Sequence, residues 1–98
     1  MKKGMSELLY EYVYNTVTLL VDKPDDIKIE STVSTKSVTI QIRSAKSDRG
    51  KIIGKKGRTI ESLKIITLAI KNTNFPKDVR NVELQIIEDE NSSFLDLD

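Results

Sequence analysis

Apolar residues recur along this chain in two rhythms, and the switches between them mark out the elements. Over residues 6–22, Leu9, Val13, Thr16, Val17 and Leu20 fall at three- and four-residue steps, with Leu8, Tyr12 and Val21 widening the stripe. That period predicts an amphipathic helix, with Ser6 as its N-cap. The helix must stop near Pro24, because proline disfavours helical geometry in the residue before it. A period of two follows. Ile27, Ile29 and Val33 alternate with Lys28, Glu30 and Thr32, and then Val38, Ile40 and Ile42 alternate with Thr39, Gln41 and Arg43. Val82, Leu84 and Ile86 repeat the alternation near the end. Each predicts a strand with one buried and one wet face. The polar stretch Ser34–Ser37 joins the first two as an antiparallel hairpin, although it lacks Asn-Gly chemistry.

Between the second and third strands the helical period returns twice. A short pattern covers about residues 47–53, with Ser47 or Asp48 placed to cap it. A longer one runs from Arg58 to Lys71, with Ile60, Leu63, Ile66, Thr67 and Ile70 on one face. Ile65, Leu68 and Ala69 broaden that face, so the helix is expected to be well buried. The order is helix, strand, strand, helix, helix, strand. A strand–helix–helix–strand crossover brings the last strand in parallel to a neighbour. The expectation is an α+β fold, a mixed three-stranded sheet packed on three helices, over residues 5–88. The acidic end, residues 89–98, is expected to be a frayed, disordered tail.

Ninety-eight residues allow one core and no second. No apolar run approaches the roughly 18 residues that span a bilayer, and Glu7, Glu11 and Asn15 spoil a signal-peptide reading of the start. A cytoplasmic protein is expected. The chain has no Cys and no His, so it lacks thiolate metal ligands and the commonest general base. The paired carboxylates Asp25-Asp26 and Glu88-Asp89-Glu90 fall on a turn and a tail, where solvated charge is the simpler account. No catalytic or metal-binding residue, cofactor or small-molecule substrate is therefore expected.

The net charge of +1 conceals a division. Residues 43–58 carry Arg43, Lys46, Arg49, Lys51, Lys55, Lys56 and Arg58 against Asp48 alone, whereas residues 88–98 carry only acids. The basic centre coincides with Gly54-Lys-Lys-Gly57, a Gly-x-x-Gly loop between the two helical patterns. Glycines let a sugar–phosphate chain lie against the main chain. The following helix start offers unpaired N–H groups and positive dipole. Such a loop can also be a plain helix–turn–helix connection. The leading pair Ile52-Ile53, the internal lysines and the two preceding strands favour nucleic acid.

The run Gly50-Lys-Ile-Ile-Gly-Lys-Lys-Gly-Arg-Thr-Ile60 resembles the core motif of KH domains, single-stranded nucleic-acid-binding modules. With the upstream helix and Leu20-Val-Asp-Lys-Pro-Asp25, it resembles more closely the small bacterial KH domain protein A family. There one type II KH domain makes up nearly the whole protein. The resemblance covers about residues 5–88. It implies that Gly54, Lys55, Lys56 and Gly57 clamp single-stranded RNA, with single-stranded DNA as a lesser possibility. Arg58, Lys51 and Arg49 would extend the charge, and Ile52, Ile53 and Ile60 would form an apolar groove wall. The strand Val38–Arg43, including Ile40 and Arg43, would supply the other wall and main-chain groups that read base edges. A KH clamp holds about four nucleotides, so the family's association into homodimers, or with a larger multi-domain KH protein, would add affinity. A post-transcriptional regulator or RNA chaperone is implied. The alternative is a subunit whose fold serves mainly a protein complex. A third reading, a duplex-DNA helix–hairpin–helix, is opposed by the three strands, and the scarcity of aromatic residues opposes an RRM-like stacking sheet. The chain departs from the family pattern in having fewer alanines after the clamp, a longer loop over Asn72–Asp78 containing Pro76, and the acidic extension.

Overall fold

A computed structural model describes residues 3–88. The elements are α1 (Met5–Leu20), β1 (Lys28–Val33), β2 (Ser37–Arg43), α2 (Arg49–Ile53), α3 (Arg58–Asn74) and β3 (Asn81–Ile86). Single 3-10 turns sit at Pro24–Asp26, Lys46–Asp48 and Lys55–Gly57. The expected order holds. The acidic tail lies outside the described residues.

Several boundaries differ: α1 ends at Leu20 and not at 22, α2 starts at Arg49 after a 3-10 turn, and two further ends differ for local reasons. α1 begins one residue ahead of Ser6, with Gly4 at its N-cap and no side-chain cap bond, so Ser6 is inside the first turn. α3 runs three residues past Lys71, to Asn74, because nothing breaks the helix before Phe75-Pro76. The hairpin turn solves its missing Asn-Gly with a serine. The Ser34 hydroxyl accepts hydrogen bonds from the N–H groups of Lys36 (3.2 Å) and Ser37 (3.1 Å).

The sheet order is β1-β2-β3, antiparallel then parallel. Register places Val38 beside Val82, Ile40 beside Leu84 and Ile42 beside Ile86, which aligns one apolar face. Onto that face pack Leu9, Val13 and Val17 of α1, Ile52 of α2 and Leu63 of α3. The buried stripe of α1 is the one its period predicts. α3 is less buried than its composition suggests: only Leu63, Thr67 and Lys71, spaced by four, are buried. Ile65 and Ile66 remain 56% and 46% exposed. Ile60, Leu68 and Ile70 flank the stripe half-buried against the core, whereas Ile65 and Ile66 lie beyond it and face solvent.

Candidate nucleic-acid interface

α2 is five residues long, too short to be helical on its own. Tertiary contacts must hold it. Ile52 is fully buried beneath it, and Arg49 Nη1 lies 3.2 Å from Glu88 Oε1 just beyond β3. Its first residue follows Asp48, whose carboxylate is 0% exposed. Asp48 does not cap α2 as expected. It reaches back instead to the chain after α1, where Oδ1 accepts from Asp22 N at 3.1 Å and Oδ2 from Lys23 N at 2.9 Å. Burial opposes ionisation of this carboxyl, but the two backbone N–H groups and Lys51 outweigh it and hold its pKa below the ordinary aspartate value.

α2 ends at Gly54, where the loop turns. Gly54 has φ 80° and ψ 170°, a region closed to other residues, and Gly57 has φ 74° and ψ 13°. Lys56 between them is also left-handed, at φ 57°. The turn is closed by Gly57 N donating to Gly54 O at 3.0 Å. α3 then starts at Arg58, whose N–H donates to Lys55 O, and no side chain caps the N–H groups that follow. Lys55, Lys56 and Arg58 are exposed and form no ion pair among the described residues.

The other basic residues of the expected site are differently placed. Lys51 Nζ lies 2.8 Å from Asp22 Oδ2 and 3.3 Å from Asp48 Oδ1, and these carboxylates, Asp22 first, raise its pKa. Arg43 Nη1 is 3.0 Å from Glu30 Oε1 on the neighbouring strand. Arg43, Arg49 and Lys51 thus have carboxylates of this chain as partners, and a phosphate would have to compete for them.

The apolar part needs correction. Ile52 and Ile40 are both 0% exposed, so neither presents surface to a base; they belong to the core. Ile53 and Ile60 are half-buried and do reach the surface. The expected second wall, Val38–Arg43, is β2, the central strand. Its backbone groups are paired to β1 on one side and β3 on the other, leaving none to read a base. The strand that packs beside α3 is β3, whose outer edge is unpaired among the described residues. Leu84 and Ile86 of β3 share the inner face with Val82 but are only half-buried. Sequence reasoning missed them because alternation fixes the face of a strand, not its place in the sheet.

The chain from α3 to β3 is also fixed from below. Lys71 is fully buried and donates from Nζ to Asp78 O at 2.6 Å. Arg80 holds the Asp78 carboxylate through Nε and Nη2 as well as through its backbone N–H, and keeps that carboxyl far below the usual carboxylate range. Among the described residues no group of acidic side chains is arranged to hold a metal ion, and no helix is long and apolar enough to cross a membrane.

Comparison with known proteins agrees with this architecture. The family model for the KH domain of KhpA/KhpB matches residues 10–89. "RNA-binding protein KhpA" of Chlamydia pneumoniae is 34% identical over 79 residues, covering 81% of this chain and 96% of that protein. The proteins of the same name from Mycobacterium leprae and Bacillus subtilis are 31% identical over 75 residues and 36% over 61. Those matches cover 76% of this chain and 94% of the relative, and 62% and 75%, respectively.

Proposed function

Because the chain belongs to the KhpA/KhpB KH-domain family, we propose that it binds single-stranded RNA, with the loop Gly54–Gly57 as a backbone clamp. The observation that carries this reading is the loop itself. Two positive-φ glycines and a left-handed lysine expose Lys55 and Lys56 at the uncapped start of a 17-residue helix. Phosphates lying there would meet Lys55, Lys56, Arg58 and the N–H groups of the helix start. Bases would lie over Ile53 and Ile60, with Leu84 and Ile86 across the groove and the open β3 edge supplying main-chain donors and acceptors. No step of this reading calls for a cofactor, a metal or chemistry on the RNA.

Three neutralised phosphates predict a slope of log K against log[salt] of about −2 for a single strand. Replacing Lys55 and Lys56 together by Asp should abolish most binding to a short single-stranded RNA, with an unchanged circular dichroism spectrum. A folded double variant that binds as before would refute the clamp, and so would binding insensitive to salt.

One clamp of about four nucleotides is a small footprint, and a second copy on the same strand would raise affinity through effective concentration. The exposed Ile65 and Ile66 on α3 favour such association, with another copy or with a larger multi-domain KH protein. With such an arrangement the role we propose is post-transcriptional regulation or RNA chaperoning. If RNA contact is secondary to a protein complex, the Lys55/Lys56 variant keeps its biological activity while changes at Ile65 and Ile66 abolish it.

A further inference from the structure

The clamp is carried by a helix that cannot place itself, and the buried Asp48 is the polar group that ties it down. Asp48 stands immediately before α2. Its two oxygens accept the consecutive N–H groups of Asp22 and Lys23 at 3.1 and 2.9 Å. Those donors belong to the extended chain leaving α1, which begins at Val21 with φ −113° and ψ 161° and offers them no intrahelical acceptor. Lys51, one turn into α2, completes the arrangement by bridging Asp48 and Asp22. Four groups from two segments over twenty residues apart in sequence thus close on one another, directly ahead of Ile52, Ile53 and Gly54. From its far side α2 is tied by Arg49 to Glu88.

We infer that Asp48 is a positioning residue for RNA binding, holding α2 and the Gly54–Gly57 loop through the Asp22–Lys23 backbone, and that Lys51 belongs to this clasp and not to the phosphate contacts. The inference rests on the clamp reading above. It differs from a charge argument in sign. Asp48 is the lone acid among the basic residues 43–58, so on charge alone its removal should tighten RNA binding. As a positioning residue, its removal weakens binding. Asn in its place offers one acceptor oxygen and sets an NH2 group against the second backbone N–H.

The test uses the full chain and a short unstructured oligoribonucleotide. At a temperature where Asp48→Asn is folded by circular dichroism, its affinity should fall about tenfold or more. Hydrogen exchange at the amides of Asp22 and Lys23 should accelerate in the same variant. Lys51→Met should leave the salt slope at its wild-type value, whereas replacing a true phosphate contact lowers it by about 0.7. Equal or tighter binding by folded Asp48→Asn overturns the positioning role, as does a reduced slope for Lys51→Met. Should Asp48→Asn fail to fold, the Lys51→Met slope decides. The Lys55/Lys56 double variant runs alongside: if it binds like wild type, or wild type does not bind, the clamp reading fails and this inference with it. If that control behaves and only the Asp48 or Lys51 result is contrary, the clamp stands and the clasp role falls.

Discussion

Gly54 and Gly57 look equivalent in the motif but should respond very differently to alanine. At Gly54 an added Cβ would lie 2.6 Å from Thr59 Cβ and 2.8 Å from Thr59 N, and closer still to Thr59 Oγ1. The backbone there, at φ 80° and ψ 170°, also lies in a region essentially confined to glycine. Strain costs about 1–3 kcal/mol, and forcing the contact with Thr59 costs about 1–3 kcal/mol more. Gly54→Ala should therefore lose about 2–6 kcal/mol of a domain stability on the order of 5–15 kcal/mol. At Gly57 the added Cβ meets nothing within 4 Å, and the left-handed backbone alone costs about 1–2 kcal/mol. Urea denaturation followed by circular dichroism measures both. Trimming Thr59 to Ala in the Gly54→Ala background removes Oγ1 but leaves Cβ and N, so recovery should be partial. Equal destabilisation by the two alanines, within about 0.5 kcal/mol, would refute the assignment of Gly54 as the sterically closed position. RNA affinity should show the reverse emphasis: the Gly57 methyl stands in open space where the sugar–phosphate chain would lie, so folded Gly57→Ala should bind more weakly.

Three further outcomes are expected. Asp48 and Asp78 both titrate below the ordinary value of 3.8, so their contribution is present above that pH and disappears as pH falls through the folded-state values. Thermal melts should thus lose stability below about pH 4, and less steeply in Asp48→Asn; an equal loss in that variant would remove Asp48 from the account. Lys71 is buried with its ammonium on Asp78 O, so Lys71→Ala should cost about 2–4 kcal/mol through the cavity it leaves. Lys71→Met keeps the volume but leaves Asp78 O and the Asp78 carboxylate without the ammonium, so it should cost less than Lys71→Ala by the cavity contribution alone, and equal costs for the two would argue against packing as the main role. Ile65→Glu and Ile66→Glu, at exposed positions, should change folding stability by no more than about 0.5 kcal/mol. Sedimentation should then show loss of any self-association, and intact association would place the interface elsewhere.

Much of this molecule is legible without a structure because its signals are local. Alternation identified all three strands, and the four-residue spacing of Leu9, Val13 and Val17 identified the buried face of α1. The glycines announced the turn, since only glycine adopts the Gly54 backbone. Where reading failed, the deciding contact lay far away in sequence. Ile40 and Ile52 looked like groove residues but are sealed in the core. The apolar breadth of α3 suggested a well-buried helix, yet Ile65 and Ile66 face solvent. Asp48 looked like a helix cap, which is what an aspartate at that local position commonly does, and its partners are 25 and 26 residues away.

The sequence by itself determined the elements, their order, the Gly-Lys-Lys-Gly turn and the segregation of charge, because propensity, period and backbone sterics act over a few residues. Tertiary structure alone decided that β2 is central and that β3, like β1, is an edge strand among the described residues, which is why the proposed base-reading edge is β3 and not β2. It also decided which cations remain exposed and which are tied to carboxylates. Hydrogen-bonding capacity and charge are exhausted by whatever partners the fold brings near, and no local pattern records which partners those are.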